Sequence, residues 1–177
     1  MEHHPPHTNT ELLALAGSIE LVVFDVDGVL TDGRLYFGAD GTELKAFHVR
    51  DGHGIKLLQE AGIKVAALSG RRSEAVIRRM DELRVNVYRQ GCQHKDRDLM
   101  DLLQHFGVAG QATAYLGDDV IDLPAMRLVG LPVAVADAHP GVRAAARWTT
   151  TLDGGRGAAR ELCDLIVDAK STTTKQA

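Results

Sequence analysis

Short apolar runs alternate with amphipathic segments along most of this chain. Five near-continuous apolar runs predict buried strands at residues 19–24, 63–68, 85–88, 112–116 and 131–135. Apolar residues at helical spacing predict helices at residues 10–17, 51–62, 73–83, 94–106, 119–129 (interrupted near Pro124), 140–146 and 157–169. Because strands and helices alternate, the pattern predicts an α/β fold: a Rossmann-like, doubly wound and mostly parallel sheet.

Turn and cap residues refine this outline. Asp40-Gly41 lies between two extended segments and predicts a β-hairpin at about residues 33–49, inserted after the first strand. Thr10, Asp51 and Ser73 each precede an apolar helical pattern and are predicted to cap the helices that begin there.

The length of 177 residues fits one domain with short tails. We expect a flexible N-terminal tail and short helix at residues 1–17, a single domain at 18–170 and a disordered tail at 171–177. The first residues contain His3, His4 and His7, which could bind metal incidentally, but a flexible tail accounts for them.

Composition excludes several classes of protein. The net charge is −4 and basic residues are scattered, which argues against a nucleic-acid surface. No apolar run approaches the ~20 residues of a membrane span, and the N-terminus lacks a secretory signal pattern. Cys92 and Cys163 have neither zinc-site nor disulfide-framework spacing and suit a reducing, cytoplasmic location.

The first strand ends in two carboxylates, Asp25 and Asp27, followed by a glycine. Ligands of open α/β sheets bind just beyond the carboxyl ends of the strands. Alternation turns both carboxylates toward one pocket, and two such groups repel each other unless a cation lies between them. Mg²⁺ is a fitting cation because it prefers oxygen ligands. Taken alone, the same residues also fit a strand that ends in an ordinary Asp-Gly turn.

Polar residues also follow the other strands. Each has a simple alternative: Ser69 as a loop serine, Lys95 as a surface lysine, and Asp118-Asp119 as a helix cap. Their common position at one sheet edge favours a single site over these separate explanations. The residues concerned are Ser69, Arg71, Lys95, Asp118, Asp119 and Asp122.

These motifs resemble the haloacid dehalogenase superfamily, and most closely its capless 3-deoxy-D-manno-octulosonate 8-phosphate (KDO 8-phosphate) phosphatases. The likeness spans about residues 21–169. It rests on FDVDGVLTDG at 24–33, KAFHVRDG at 45–52 with Gly54-Ile55, GDD at 117–119 with Asp122, VADAHP at 135–140 and GGRGA at 154–158.

The resemblance implies a role for each catalytic residue. Asp25 would be the nucleophile that takes the phosphoryl group, and Asp27 would be the general acid and base. Ser69 and Lys95 would bind the phosphoryl oxygens. Mg²⁺ would be held by Asp25, Asp118 and the Asp27 backbone carbonyl, with Asp119 and Asp122 orienting these ligands.

The resemblance also implies the substrate and its contacts. The substrate would be KDO 8-phosphate, a sugar-acid phosphate of lipopolysaccharide precursor synthesis. Arg71 suits its carboxylate or phosphate, whereas Arg79 could instead belong to a solvated helix face. The substrate-binding residues are expected to be Asp27, His48, Val49, Arg50, Asp51, Gly52, Lys56, Arg71, Arg79, Lys95 and Arg156.

The hairpin takes the place of a cap domain and is too apolar for an isolated flap. We therefore expect hairpins of several subunits to pack together, and the resemblance implies a homotetramer with shared active sites. The segment 154–157 either reaches a neighbouring pocket with Arg156 or forms a flexible turn before the last helix.

Three other functions remain open at this stage. The chain could hydrolyse a sialic-acid-type 9-phosphate with the same residues. It could be a non-catalytic assembly domain of this fold, although Asp25, Asp27, Ser69, Lys95 and Asp118 are all present. It could also be a phosphatase of broad specificity, because a site without a cap is open.

Overall fold

The structure is a computed structural model that describes residues 9–174, so the histidines predicted to lie in a tail fall outside the described residues. Its centre is a six-stranded sheet in the order β5-β4-β1-β6-β7-β8, in which every pairing is parallel. The strands are β1 (Leu21–Asp25), β4 (Lys64–Ser69), β5 (Tyr88–Gln90), β6 (Thr113–Gly117), β7 (Leu131–Ala134) and β8 (Trp148–Thr149).

Within residues 9–174, seven α-helices connect and cover these strands. They are α1 (Asn9–Gly17), α2 (Val49–Glu60), α3 (Glu74–Leu83), α4 (Lys95–Phe106), α5 (Leu123–Met126), α6 (Pro140–Ala145) and α7 (Ala158–Thr174). Helix α7 packs against α1 and α2, whereas α4 packs against α5. The predicted α/β fold with a doubly wound parallel sheet is confirmed.

Strand β1 lies in the middle of the sheet. All five of its residues are buried, as expected for a parallel strand covered on both faces. It pairs with β4 on one side and with β6 on the other, and the register sets Asp25 beside Leu68 of β4. The ends of these three strands therefore meet at one edge of the sheet.

The predicted hairpin is confirmed as β2 (Tyr36–Phe37) and β3 (Glu43–Leu44), which pair antiparallel to each other outside the main sheet. The Asp40 carboxylate accepts hydrogen bonds from the Thr42 backbone and hydroxyl, and Gly41 has a φ of 83° that favours glycine. Several of its apolar side chains face outward, and Phe37 is 63% exposed.

Two predicted strands differ from the observed ones. The third strand is β5 at residues 88–90 rather than 85–88, because Arg84 adopts a left-handed conformation and the Val85 N–H bonds back to the Met80 carbonyl. The left-handed residue and this bond end helix α3, so the strand begins later in the sequence. The two-residue edge strand β8 was not predicted.

Helix boundaries differ at several places, and Thr10, predicted as a cap, is the second residue of α1. The predicted cap Asp51 is wrong: His48 is the N-cap of α2, and its Nδ1 accepts from the Arg50 N–H at 3.2 Å. In place of the predicted helix 119–129, the structure has a 3₁₀ turn (Val120–Asp122) followed by the short α5. Asp119 caps the start of the 3₁₀ turn. Helix α7 continues to Thr174, through residues 171–174 that were predicted as part of a disordered tail.

Candidate active site

The chain turns sharply after β1 and leaves two carboxylates at the sheet edge. The backbone N–H groups of Leu30 and Thr31 both donate to the Val26 carbonyl at 3.0 Å, and Gly28 has a φ of 91°. A side chain at Gly28 would collide with Asp118, since a Cβ there would lie 2.0 Å from its Oδ2. The glycine thus lets the turn carrying Asp27 approach Asp118 closely.

Lys95 joins the end of β1 to the segment after β6. Its Nζ lies 2.6 Å from Asp25 Oδ1 and 2.6 Å from Asp122 Oδ1, and its side chain is only 2% exposed. Burial alone would lower the pKa of Lys95, but the charges of Asp25 and Asp122 outweigh it and raise the pKa. Lys95 therefore remains a cation between two carboxylates.

Asp122 accepts hydrogen bonds at both of its oxygens. Besides Lys95, the Tyr115 hydroxyl donates to Oδ1 at 2.7 Å, and the backbone N–H groups of Asp118 and Asp119 donate to Oδ2 at 3.0 and 3.3 Å. Four donors use the acceptor capacity of one carboxylate. Asp122 is thus occupied in holding Lys95 and the backbone of Asp118, which fits a residue that orients the site.

The oxygens of three carboxylates converge here. Ligand atoms of Asp25, Asp118 and Asp122 all lie within 4.8 Å of one another. Burial raises the pKa of Asp25 well above its usual value, and the charge of Asp122 raises it further. The pKa of Asp118 is raised to about 6, mainly by burial and also by the charge of Asp122. One lysine does not offset this negative charge, and the oxygen donors fit a divalent cation such as Mg²⁺.

Asp27, on the turn after β1, contacts the hairpin segment and β4. Lys45, from the segment that follows β3, forms an ion pair with Asp27 Oδ1, and Ser69 Oγ lies 3.4 Å from Asp27 Oδ2. Ser69 is the buried last residue of β4, and its hydroxyl also accepts from the Arg71 N–H at 3.2 Å. The structure thus brings together the predicted Asp25, Asp27, Ser69, Lys95 and Asp118.

Two residues at the site were missed by the sequence reasoning. Lys45 is separated from Asp27 by the hairpin, and only the return of that hairpin to the domain reveals its contact. Tyr115 lies within the apolar strand β6, which the sequence reasoning treated only as a buried strand. Burial raises the pKa of Tyr115 well above the usual value, and the charge of Asp122 raises it further. The string KAFHVRDG contained Lys45, but nothing in the spacing assigned it a partner.

The predicted substrate residues are spread over several positions. Asp27 and Lys95 lie in the site itself. Arg71 is two residues after Ser69, and its Nη2 lies 2.9 Å from Glu43 Oε1 on the hairpin. Residues 48–52 form the first turn of α2, where Val49 is 81% exposed. Asp51, by contrast, is 2% exposed, and its Oδ1 accepts from the Arg160 N–H of α7 at 2.9 Å.

The remaining three do not contact the carboxylate cluster within this chain. Arg79 donates to the His48 carbonyl at 3.3 Å and pairs with Glu82. Lys56 is exposed on a groove between α2 and the end of α3, and Arg156 is exposed before α7. A role of Arg79, Lys56 or Arg156 in substrate binding therefore stays a prediction.

Comparisons with known proteins agree with this geometry. A family model described as haloacid dehalogenase-like hydrolase matches residues 85–162. The 3-deoxy-D-manno-octulosonate 8-phosphate phosphatase of Escherichia coli K12 is 46% identical over 92% of this chain and 86% of its own length.

Solved structures give the same result. The phosphatase of that name from Moraxella catarrhalis, in complex with magnesium, phosphate and KDO, matches with a TM-score of 0.91 and 39% identity over 96% of this chain and 97% of that one. A cobalt-bound deoxy-D-mannose-octulosonate 8-phosphate phosphatase from Haemophilus influenzae has a TM-score of 0.87 and 44% identity, over 90% of this chain and 94% of that chain.

Proposed function

This chain belongs to the haloacid dehalogenase-like hydrolases, within the family of 3-deoxy-D-manno-octulosonate 8-phosphate phosphatases, and we propose that it hydrolyses KDO 8-phosphate to KDO and phosphate in lipopolysaccharide precursor synthesis. The observation that carries this proposal is the buried Asp25, held by Lys95 at 2.6 Å beside Asp118. Phosphoryl transfer depends mainly on positioning and charge neutralisation, and this cluster supplies both.

In the first half of the reaction, Asp25 is the nucleophile. One of its oxygens bonds to phosphorus as the bond from phosphorus to the sugar oxygen breaks, giving an aspartyl phosphate. Asp27, in its protonated form, gives its proton to the departing sugar oxygen. Lys95 holds Asp25 in place, and Ser69 donates a hydrogen bond to the phosphoryl group.

In the second half, Asp27 acts as a base. Its carboxylate takes a proton from a water molecule as the water oxygen bonds to phosphorus and the bond to Asp25 breaks. The products are phosphate and the free Asp25 carboxylate, and Asp27 is protonated again for the next cycle. The position of Asp27 two residues after Asp25 puts both groups at the same strand end.

Mg²⁺ is the proposed cofactor. Asp25, Asp118 and the Asp27 backbone carbonyl would hold it, and Asp122 and Asp119 would orient these ligands. Bound there, the ion neutralises charge on the phosphoryl oxygens. The fit rests on the converging carboxylate oxygens. Burial, followed by the charge of Asp122, raises the pKa values of Asp25 and Asp118, and a bound cation would oppose both effects.

The sugar acid would lie between the hairpin and the start of α2. Arg71 is the best-supported contact because it lies beside Ser69 and its guanidinium can bind a carboxylate in two places. His48, Val49, Arg50 and Gly52 remain proposed contacts on the first turn of α2. Asp51 is a weaker candidate, since it is buried and bound to α7.

We propose that the active sites are completed in a homotetramer. The support is the hairpin, whose apolar side chains are at least 40% exposed: Leu35, Tyr36, Phe37 and Leu44. Arg156, which is exposed, would then reach substrate of a neighbouring subunit. No helix in the described part of the chain is long and apolar enough to cross a membrane; a cytoplasmic location stays a prediction.

The oligomer can be tested directly. Phe37→Glu places a charge on the most exposed apolar side chain of the hairpin, and we expect smaller particles by light scattering together with a raised KM. A matched control is Met100→Glu, an exposed apolar position on α4, which should leave the assembly intact. A wild-type monomer with full activity would overturn the shared-site proposal.

The function is tested by phosphate release from a panel of sugar phosphates with and without Mg²⁺. We expect KDO 8-phosphate to be hydrolysed with a higher kcat/KM than nine-carbon sialic-acid-type 9-phosphates, and Asp25→Asn to fold but lose turnover. Preference for a 9-phosphate would favour the sibling activity. A flat profile would indicate a broad phosphatase, and full activity of Asp25→Asn would exclude this nucleophile.

A further inference from the structure

In residues 43–47, at the end of the hairpin, charged side chains face inward and small or apolar side chains face outward. Its inward positions are Glu43, Lys45 and the partly buried Phe47, whereas Leu44 is 59% exposed and Ala46 is exposed. Alternation of this kind normally places apolar residues inside and charges outside. A charged inner face is expected where the covered surface is a polar site rather than a core.

Lys45 is the most deeply placed of these charges. Its side chain is 1% exposed, and its Nζ pairs with Asp27 Oδ1 and lies 3.6 Å from Glu43 Oε1. A lysine is rarely buried unless it is paired. Glu43 also contacts Arg71 at 2.9 Å, so the two ion pairs hold the hairpin against Asp27 and Arg71.

The contact divides the two oxygens of Asp27 between different partners. Lys45 occupies Oδ1, whereas Oδ2 faces the Ser69 hydroxyl at 3.4 Å, beside the position proposed for the phosphoryl group. A carboxylate that is free to rotate would spend part of its time with neither oxygen in line with the leaving group. Fixing one oxygen orients the other for proton transfer.

We propose that Lys45 is a positioning residue for the general acid and base: by holding Asp27 Oδ1, it directs Oδ2 toward the sugar oxygen that leaves. The inference rests on the proposed phosphatase function and adds the hairpin as part of the catalytic apparatus. Lys45 neither gives nor takes a proton in this scheme. Asp27 Oδ2 gives its proton to the departing sugar oxygen as the bond from phosphorus breaks.

The choice of leaving group tests this role. A sugar alkoxide needs a proton as it departs, whereas p-nitrophenolate is stable without one. The comparison uses the single-turnover rate at which the leaving group is released, because the later hydrolysis of the aspartyl phosphate needs Asp27 as a base for both substrates. We expect Lys45→Met to lower this release rate for KDO 8-phosphate by about 10²-fold, within the range of general acid catalysis. We expect the release rate of p-nitrophenolate to fall by less than about 5-fold, and KM for both substrates to change by less than about 3-fold.

Two further variants make the test specific. Lys45→Arg keeps a cation opposite Asp27 and should recover kcat for the sugar phosphate to within about 10-fold of wild type. Lys64→Met makes the same substitution at the exposed start of β4, at the opposite end of that strand from Ser69, and should leave both activities within about 2-fold. Should Lys45→Met fail to fold by circular dichroism, Lys45→Gln replaces it with the same expectations.

Three outcomes would overturn the proposal. An equal loss of the single-turnover release rate on both substrates would mean that Lys45 acts on the phosphoryl group or on the fold. A raised KM with kcat unchanged would make it a substrate-binding residue. Failure of Lys45→Arg to recover activity would exclude a role for the charge. If wild type does not hydrolyse KDO 8-phosphate, the proposed function itself is wrong, which is a separate result.

Discussion

Replacement of Lys95 is the sharpest test of how this site is held together. Lys95→Met keeps the length of the side chain but removes the cation that contacts Asp25 and Asp122 at 2.6 Å each. Both carboxylates are buried, with side-chain exposures of 4% and 0%. The variant therefore leaves two carboxylates close together without their shared counter-charge.

The expected cost follows from that burial. Removing one partner of a buried ion pair typically costs about 3–5 kcal/mol, because the remaining charge is left uncompensated. Here two partners remain, but protonation of one relieves part of the repulsion, so we expect about 3–5 kcal/mol in total. For a chain of this length, that corresponds to a fall in Tm of about 6–20 °C.

The pH dependence has a definite sign. In wild type, burial raises the pKa of Asp25, and the charge of Lys95 partly opposes that rise. Without Lys95, the pKa of Asp25 rises further. The folded variant then binds more protons than its unfolded chain over a wider pH range, so its stability falls as pH rises. The deficit relative to wild type should be larger at about pH 8 than at about pH 5.

Urea unfolding in the presence of EDTA measures this effect. The only tryptophan, Trp148 on the edge strand β8, supplies the fluorescence signal. Lys56→Met, at an exposed position on α2, is the control and should change the free energy of unfolding by less than about 0.5 kcal/mol. A loss below about 1 kcal/mol for Lys95→Met, or a loss independent of pH, would refute the reasoning.

Three more variants probe the supports of the site. Asp51→Asn keeps an acceptor for the Arg160 N–H but removes a buried carboxylate. Burial raises the pKa of Asp51, so wild-type stability falls as pH rises. The gain in stability of the Asn variant, measured by urea titration, should therefore be larger at about pH 8 than at about pH 4. Tyr115→Phe should lower the free energy of unfolding by about 1–2 kcal/mol and leave kcat within about 5-fold, because Asp122 keeps its other donors; a larger kcat loss would contradict this. Gly154→Ala would set a Cβ 1.7 Å from the Gly28 carbonyl oxygen, so we expect a thermal-shift loss equivalent to about 1–3 kcal/mol, and an unchanged Tm would count against the observed packing.

The sequence predicted the fold well because its signals are local. An apolar run that ends in Asp25-x-Asp27 identifies both the strand and the end at which chemistry occurs. The order of polar residues after successive strands placed Ser69, Lys95 and Asp118 together, since parallel strands end at one edge of the sheet. These inferences needed only periodicity and connectivity.

The rest depended on contacts between segments far apart in the chain. Asp51 has the residue type and position of a helix cap, but its carboxylate bonds to Arg160 of α7, a partner that no local pattern indicates. Lys45 has an ordinary sequence environment, and its burial follows from the fold of the hairpin. Strand β5 begins later than predicted because α3 ends at Arg84, which adopts a left-handed conformation that is usual for Gly or Asn.

The position of β1 between β4 and β6 has a consequence for how the protein is made. Synthesis runs from the N-terminus, so the strand that carries Asp25 emerges from the ribosome first, while the last strand that flanks it begins at Thr113. Lys95 and Asp122 follow the same order, and the carboxylate at position 25 meets both only after most of the chain has been translated. Nascent or truncated fragments that stop short of position 122 therefore lack a finished reaction centre.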